Sequence, residues 1–293
     1  MLLELGTHRF DVTHRALVMG ILNRTPDSFY DAGQYWGFDQ FLAKAEALVD
    51  DGADLLDVGG VKAGPGEEVT LEMELERVVP AVEALRRRFD VPISVDTWRA
   101  EVLRQSLECG ADVGNDISGF ADPDYLPAAA AGDASVIATH IRLGPRIPDP
   151  DPVYGDLVGD VRAFLAERVD RALAAGIPRQ RIVVDAGLDL GKVAHQSLEL
   201  LHRSADLATL GYPLLLSASN KRFLFELLDT DRHDIGAGTM AAHVVGIAHG
   251  CRLLRAHDVK ASRRLADIMA ELLGRRGATP LPTVRRAEAW TVS

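Results

Sequence analysis

Eight short apolar runs each end in a polar side chain: Asn23, Asp57, Asp96, Asn115, His140, Asp185, Ser217 and His257. Several of these suit defined chemistry. Arg255 and His257 stand two residues apart, so on an extended strand they point the same way and form a cationic clamp for an anionic leaving group. Asn23 opens the polar run NRTPDSFYDAG; its amide can offer oxygen to a hard cation or donate to a phosphate, while Asp27 and Ser28 lie on a loop able to fold over a ligand. An Asn-containing turn explains Asn23 alone, but not the whole run. Lys221, after Ser-Ala-Ser, can lay its stem and ammonium over a flat heteroaromatic ring or stand exposed in a first helical turn. For any single strand-end aspartate a helix N-cap is as good a reading as a functional one. Asp96, Asn115 and Asp185 on adjacent or nearby strands together favour a pocket.

The elements that must position these groups alternate. Candidate strands are Ala16–Leu22, Asp54–Val58, Ile93–Asp96, Asp112–Asp116, Ser135–His140, Arg181–Asp185, Pro213–Ser217 and Arg252–His257. Runs this short, apolar throughout, suit parallel strands buried on both faces. Helical periodicity fills the intervals, as in Gln40–Val49 and Leu75–Phe89. The punctuation recurs: DGAD, CGAD, AAGIP and AHGC precede the second, fourth, sixth and eighth strands, each placing Gly where a helix C-terminus wants positive φ. The expected fold is an α/β (β/α)8 TIM barrel, with its active site at the strand C-termini. Residues 1–15 read as a lead-in ribbon or loop, and the Pro-rich Leu143–Asp156 as a long βα loop. One domain spans 1–275, and 276–293, of mixed charge and without periodicity, reads as a flexible tail.

Bulk properties exclude some classes. A chain of 293 residues, 47% hydrophobic, supports one large domain. Its net charge of −11 lacks the basic field that draws proteins to nucleic acid or an anionic membrane. Cys109 and Cys251, far apart, support neither a disulfide framework nor a zinc knuckle. Charged residues interrupt the N-terminus where a signal peptide needs an unbroken apolar core, and no run approaches the ~20 apolar residues of a membrane span. A cytoplasmic location is expected.

LNxTPDSF after the first strand resembles the N-terminal signature of dihydropteroate synthase, within the pterin-binding barrel family. DVGG with a following GPG, SVDT (Ser94–Thr97), Asn115–Asp116, a His ending the fifth strand, Asp185 with Gly191–Lys192, Ser219–Lys221 and Arg255–Asp258 come in that family's order. The resemblance implies joining a dihydropterin methylene to p-aminobenzoate with loss of pyrophosphate, a transferase step of folate biosynthesis. It also implies pterin binding by Asp96, Asn115, Asp185 and Lys221, and Mg²⁺ near Asn23. Arg255, His257 and Lys221 take catalytic roles, Arg255 and His257 neutralising the departing diphosphate. A homodimer is implied too. A carboxylate and an amide can read the donor–acceptor edge of such a ring with paired hydrogen bonds.

The chain departs from that pattern around one pocket. Competent synthases carry Ser-Thr-Arg where this chain has Val61, Lys62 and Ala63. Lys62 is a point charge without the Arg fork, and Ala63 has no side-chain donor. Asn220 stands in place of an Arg, Leu190 of a Phe, Ala186 of a Pro, and Arg24 of a Val. One lost transition-state contact to phosphate costs ~3 kcal/mol, about two decades of rate. VKAGPG with NRTPDSFYD resembles the divergent second synthase homologue of actinobacteria, which implies weak or absent synthase activity with the pterin pocket kept. The alternatives are a competent synthase and a non-catalytic ligand-binding scaffold.

Overall fold

The computed structural model describes residues 1–24, 34–64, 66–230 and 234–274. The tail 276–293 and the loop residues Asp27 and Ser28, singled out above, lie outside them. An antiparallel pair, β1 (Leu2–Leu5) and β2 (His8–Asp11), precedes eight parallel strands: β3 (Leu17–Asn23), β4 (Leu55–Gly59), β5 (Ile93–Asp96), β6 (Val113–Asp116), β7 (Ser135–Thr139), β8 (Ile182–Asp185), β9 (Leu214–Leu216) and β10 (Cys251–Ala256). The eight close in the order β10-β3-β4-β5-β6-β7-β8-β9, with helices between successive strands, so the fold is a (β/α)8 TIM barrel.

The helices are α1 (Gln34–Asp50), α2 (Leu71–Arg86), α3 (Ala100–Glu108), α4 (Tyr125–Ala131), α5 (Leu157–Ala174), α6 (Ala194–His202), α7 (Ser204–Ala208), α8 (Arg222–Leu228), α9 (Gly236–Ala248) and α10 (Val259–Leu272). Helix α2 starts a turn earlier than its apolar stripe suggests because Thr70 caps it, accepting from the Met73 N–H at 3.3 Å. Asp156 and Asp258 cap α5 and α10 in the same way. The four glycines of the recurring punctuation, Gly52, Gly110, Gly176 and Gly250, all adopt φ between +92° and +105°. They are the left-handed stops that let each helix turn back to the next strand.

Alternation along the strands sorts the core into two layers. Val18, Leu56, Val95, Val136, Val184 and Leu254 face outward against the helices, in one large apolar cluster. Leu17, Met19, Leu55, Val113, Ile137, Val183, Leu215 and Leu253 face inward. They meet Leu3, Leu5 and Val12 from the N-terminal segment. The lead-in segment is therefore a hairpin that closes the barrel floor. Its two-residue turn places Gly6 at φ +58°, and a Cβ there would come within 2.0 Å of the Asp112 carboxylate. Above this apolar floor, the same inward parity delivers polar residues.

Candidate functional site

Five consecutive strands contribute to one polar layer. Arg255 of β10 reaches across the barrel, its Nε 2.6 Å from Asp57 Oδ2 on β4 and its Nη2 2.8 Å from Asp96 Oδ2 on β5. Asp57, fully buried, also accepts from Ser94 Oγ at 2.6 Å and from Asn115 Nδ2 at 3.3 Å. One carboxylate thus orients both a cation and an amide. Burial pushes the Asp96 carboxyl above its usual range, and the Arg255 charge pulls against that shift. Asn23, at the end of β3, borders this group: a Cβ built on Gly59 would meet Asp96 Oδ2 at 3.6 Å and Asn23 Oδ1 at 3.7 Å.

The far wall comes from β8 and the loop after β9. Asp185 accepts from the Gly187 N–H at 2.8 Å, and burial raises its carboxyl against the pull of that bond and of Lys221. Lys221 Nζ donates to the Leu188 carbonyl at 3.2 Å, its pKa lowered by burial. His257 lies 3.0 Å through Nδ1 from Ser219 Oγ, and the Ser219 oxygen also accepts from the His257 N–H at 3.2 Å. Crowding at the barrel mouth, then the Arg255 charge, lowers the pKa of the solvent-exposed His257 to about 4, so its ring is neutral at neutral pH. The Arg255–His257 pair therefore carries one cation, and that cation is held between two carboxylates.

Two other strand-end positions, and Arg24 just past a third, have different surroundings. Thr139 has the inward parity on β7, so His140 turns outward: its ring packs edge-on against Phe164 of α5 at 4.8 Å, and its Nδ1 is 2.9 Å from Lys192 Nζ. His140 belongs to the helix layer, not the mouth. Ser217 is buried at the end of β9. Arg24, next after inward Asn23, also turns outward, its guanidinium 5.2 Å from the Phe38 ring and 5.4 Å from the Phe41 ring of α1.

The altered loop, between β4 and α2, buries Val61 and leaves Lys62 exposed. Ala63 contributes its backbone, its carbonyl accepting from the Arg146 N–H at 3.1 Å. The Arg146 side chain also donates to the Glu67 carbonyl, so the β7–α5 loop straps the β4–α2 loop from the opposite side of the mouth. Asn220 is exposed at φ +55°, a left-handed position that Asn tolerates, and its N–H donates to Thr239 Oγ1 at 3.3 Å.

This chain is 41% identical over 269 residues to a dihydropteroate synthase of Synechocystis, the match covering 91% of this chain and 93% of the relative. It belongs to the dihydropteroate synthase family. A family profile described as pterin binding enzyme matches residues 19–257, from within β3 to just past β10. The homologue is also 42% identical over 279 residues to the "Inactive dihydropteroate synthase 2" of Mycobacterium leprae, covering 92% of this chain and 94% of that one. Among solved structures, the Yersinia pestis dihydropteroate synthase with a sulfonamide drug complex superposes with a TM-score of 0.87 at 36% identity. That match covers 94% of this chain and all of the other.

Among the described residues of this synthase homologue, no group of three His, Cys, Asp or Glu could hold a metal ion, and no helix is long and apolar enough to cross a membrane. Asp57 already accepts from Arg255, Ser94 and Asn115, so it is committed elsewhere. Among the described residues, Asn23 could offer one amide oxygen to a hard cation that arrives on a ligand's phosphates. Two members of the polar layer were not singled out for roles from sequence, Asp57 as the link between Arg255 and Asn115, and Ser94 as its donor. Strand parity was the available signal, since Asp57 shares its face with Leu55 and Gly59.

Proposed function

We propose that this chain binds a reduced pterin at the strand C-termini and has weak or no dihydropteroate synthase activity. In this reading Asp96 accepts from the ring N–H and exocyclic NH₂, while Asn115 and Asp185 complete the edge contacts and Lys221 lies over the ring. Arg255, helped by His257, faces the diphosphate side, and a Mg²⁺ ion carried by the diphosphate would take Asn23 as one ligand and spread the negative charge of that group. The observation that carries the reduced activity is the strapped β4–α2 loop. Position 63 presents a backbone carbonyl already accepting from Arg146, where a competent loop presents a guanidinium. The likeness to the M. leprae protein named as inactive supports the same reading.

The likeness to the Synechocystis synthase favours a second reading, a competent enzyme of folate biosynthesis. Purified protein given 6-hydroxymethyl-7,8-dihydropterin diphosphate, Mg²⁺ and p-aminobenzoate separates the two. Calorimetric binding with turnover at least 100-fold below a competent synthase assayed in parallel is the expected result. Comparable turnover, or robust growth of a complemented synthase-deficient strain, establishes the second reading instead. If calorimetry detects no pterin diphosphate binding, the chain is a scaffold for something else.

A further inference from the structure

Lys192 is a buried cation that the site described above does not use. Its side chain is 2% exposed. The ammonium lies 2.9 Å from each of three acceptors, the Gly187 carbonyl, the Leu190 carbonyl and His140 Nδ1, with the His140 carbonyl at 3.5 Å. Three residues of the surrounding β8–α6 loop, Gly187, Asp189 and Gly191, have φ between +62° and +65°. Such a backbone curls on itself and turns carbonyls inward. Without a donor at the centre, the Leu190 carbonyl loses its hydrogen bond, while the Gly187 carbonyl keeps only the Leu190 N–H at 3.0 Å. The ammonium has three N–H groups for the three close acceptors.

The loop so held touches both sides of the far wall. The Gly187 N–H donates to Asp185, and the Leu188 carbonyl, one residue on, accepts from Lys221. The Asp189 carboxylate accepts from Ser197 Oγ at 3.1 Å and from the Phe223 N–H, just after Lys221, at 3.3 Å. We infer that Lys192 is a positioning residue for the pterin site, fixing the β8–α6 loop from beneath so that Gly187 orients Asp185 and Leu188 orients Lys221. This inference rests on the pterin reading for its functional consequence, while the staple itself is a property of the free protein.

The staple responds to pH. Burial lowers the Lys192 pKa to about 7. The carboxylates of Asp185, Asp189 and Asp149 favour its charge and Lys221 opposes it. His140, held down to about 3 by burial and by the Lys192 charge, stays neutral and accepts. Around the loop, Tyr154 donates to the Gly191 carbonyl at 2.7 Å, and Arg142 pairs with Asp149 beside Gly191. Above pH 7 the neutral amine has two N–H groups for the two carbonyls and a lone pair that accepts from His140 Nδ1–H after a tautomer switch, so the carbonyl contacts lose their charge assistance and the loop loosens.

Hydrogen exchange of the ligand-free protein tests the staple directly. Lys192→Met is expected to speed exchange at the 187–191 amides at least tenfold, with the β3–β6 strands unchanged. Loop protection in the unmodified protein, after correction for intrinsic rates, falls between pH 6 and 8.5. Calorimetry with 6-hydroxymethyl-7,8-dihydropterin diphosphate and Mg²⁺ tests the consequence: Lys192→Met weakens binding at least tenfold, and by a clearly smaller factor in a Lys221→Met background, where only the Asp185 half of the effect remains. Unchanged loop exchange in Lys192→Met, or equal losses of affinity in both backgrounds, overturns the inference. If that variant does not fold, pH-independent loop protection in the unmodified protein overturns it. Absence of pterin binding by the unmodified protein is a separate result: it overturns the pterin reading and the functional half of this inference, and loop exchange then decides the staple.

Discussion

The Nε of Arg255 donates to Asp57 across 2.6 Å, joining the last strand of the barrel to its second through a fully buried carboxylate. Removing one partner of such a pair leaves the other buried and uncompensated. Asp57→Asn is therefore expected to cost about 3 kcal/mol of stability in urea denaturation. The double variant Asp57→Asn with Arg255→Met should cost clearly less than the two single changes added together. Simple additivity would mean that the two groups stand independently.

Restoring the loop side chains tests the reduced-activity reading from the opposite direction. Val61→Ser, Lys62→Thr and Ala63→Arg together should raise dihydropteroate formation by one to two decades, on the order of the ~3 kcal/mol that one transition-state contact supplies. Because Val61 is buried, thermal unfolding of the triple variant must be followed beside its turnover. A stable triple variant with unchanged turnover would place the defect elsewhere in the site.

The strap formed by Arg146 predicts a protease phenotype. Lys62 is exposed on the strapped loop and is followed by Ala63, so trypsin can cleave there once the segment opens. A charged hydrogen bond contributes roughly 1.5 kcal/mol, about a tenfold change in opening. Arg146→Ala should accelerate cleavage after Lys62 by about that factor while cleavage elsewhere keeps its rate. An equal rate in both proteins would show that the side chain holds nothing in place.

Acid sensitivity has a definite sign at His243. Its ring is fully buried between α9 and α10, with Ser262 Oγ 3.3 Å from Nδ1, and burial lowers its pKa from 6.5 to about 4. The unfolded chain takes up a proton near pH 6.5 and the folded chain only near 4. Stability from this group is complete above 6.5 and is lost as pH falls from 6.5 to 4, on the order of 3 kcal/mol. His243→Leu removes that dependence. The unmodified protein should therefore lose stability relative to His243→Leu in urea denaturation on acidification across this interval; a constant difference would exclude the linkage.

Much of the fold was legible because it follows from local rules. The glycines at 52, 110, 176 and 250 announced their left-handed helix ends, and the buried apolar runs announced parallel strands. The first helical turn of α2 was missed because Thr70 caps ahead of the apolar stripe. His140 was misplaced at the mouth by counting runs instead of parity: the residue after an inward Thr139 must turn outward. The Arg255–Asp57 pair was beyond local rules, since its members are 198 residues apart and meet only when β10 closes against β3.

The hairpin that stoppers the barrel floor leaves the polar layer above it facing the strand C-termini. Asp57, Asn115 and Asp185 lie buried below that face, and the strapped loops border it. In the pterin reading, two molecules approaching from that face would queue, the one read by the deep carboxylates going in first and coming out last. Kinetics with two substrates would then be compulsory-order, with the deeper ligand leading.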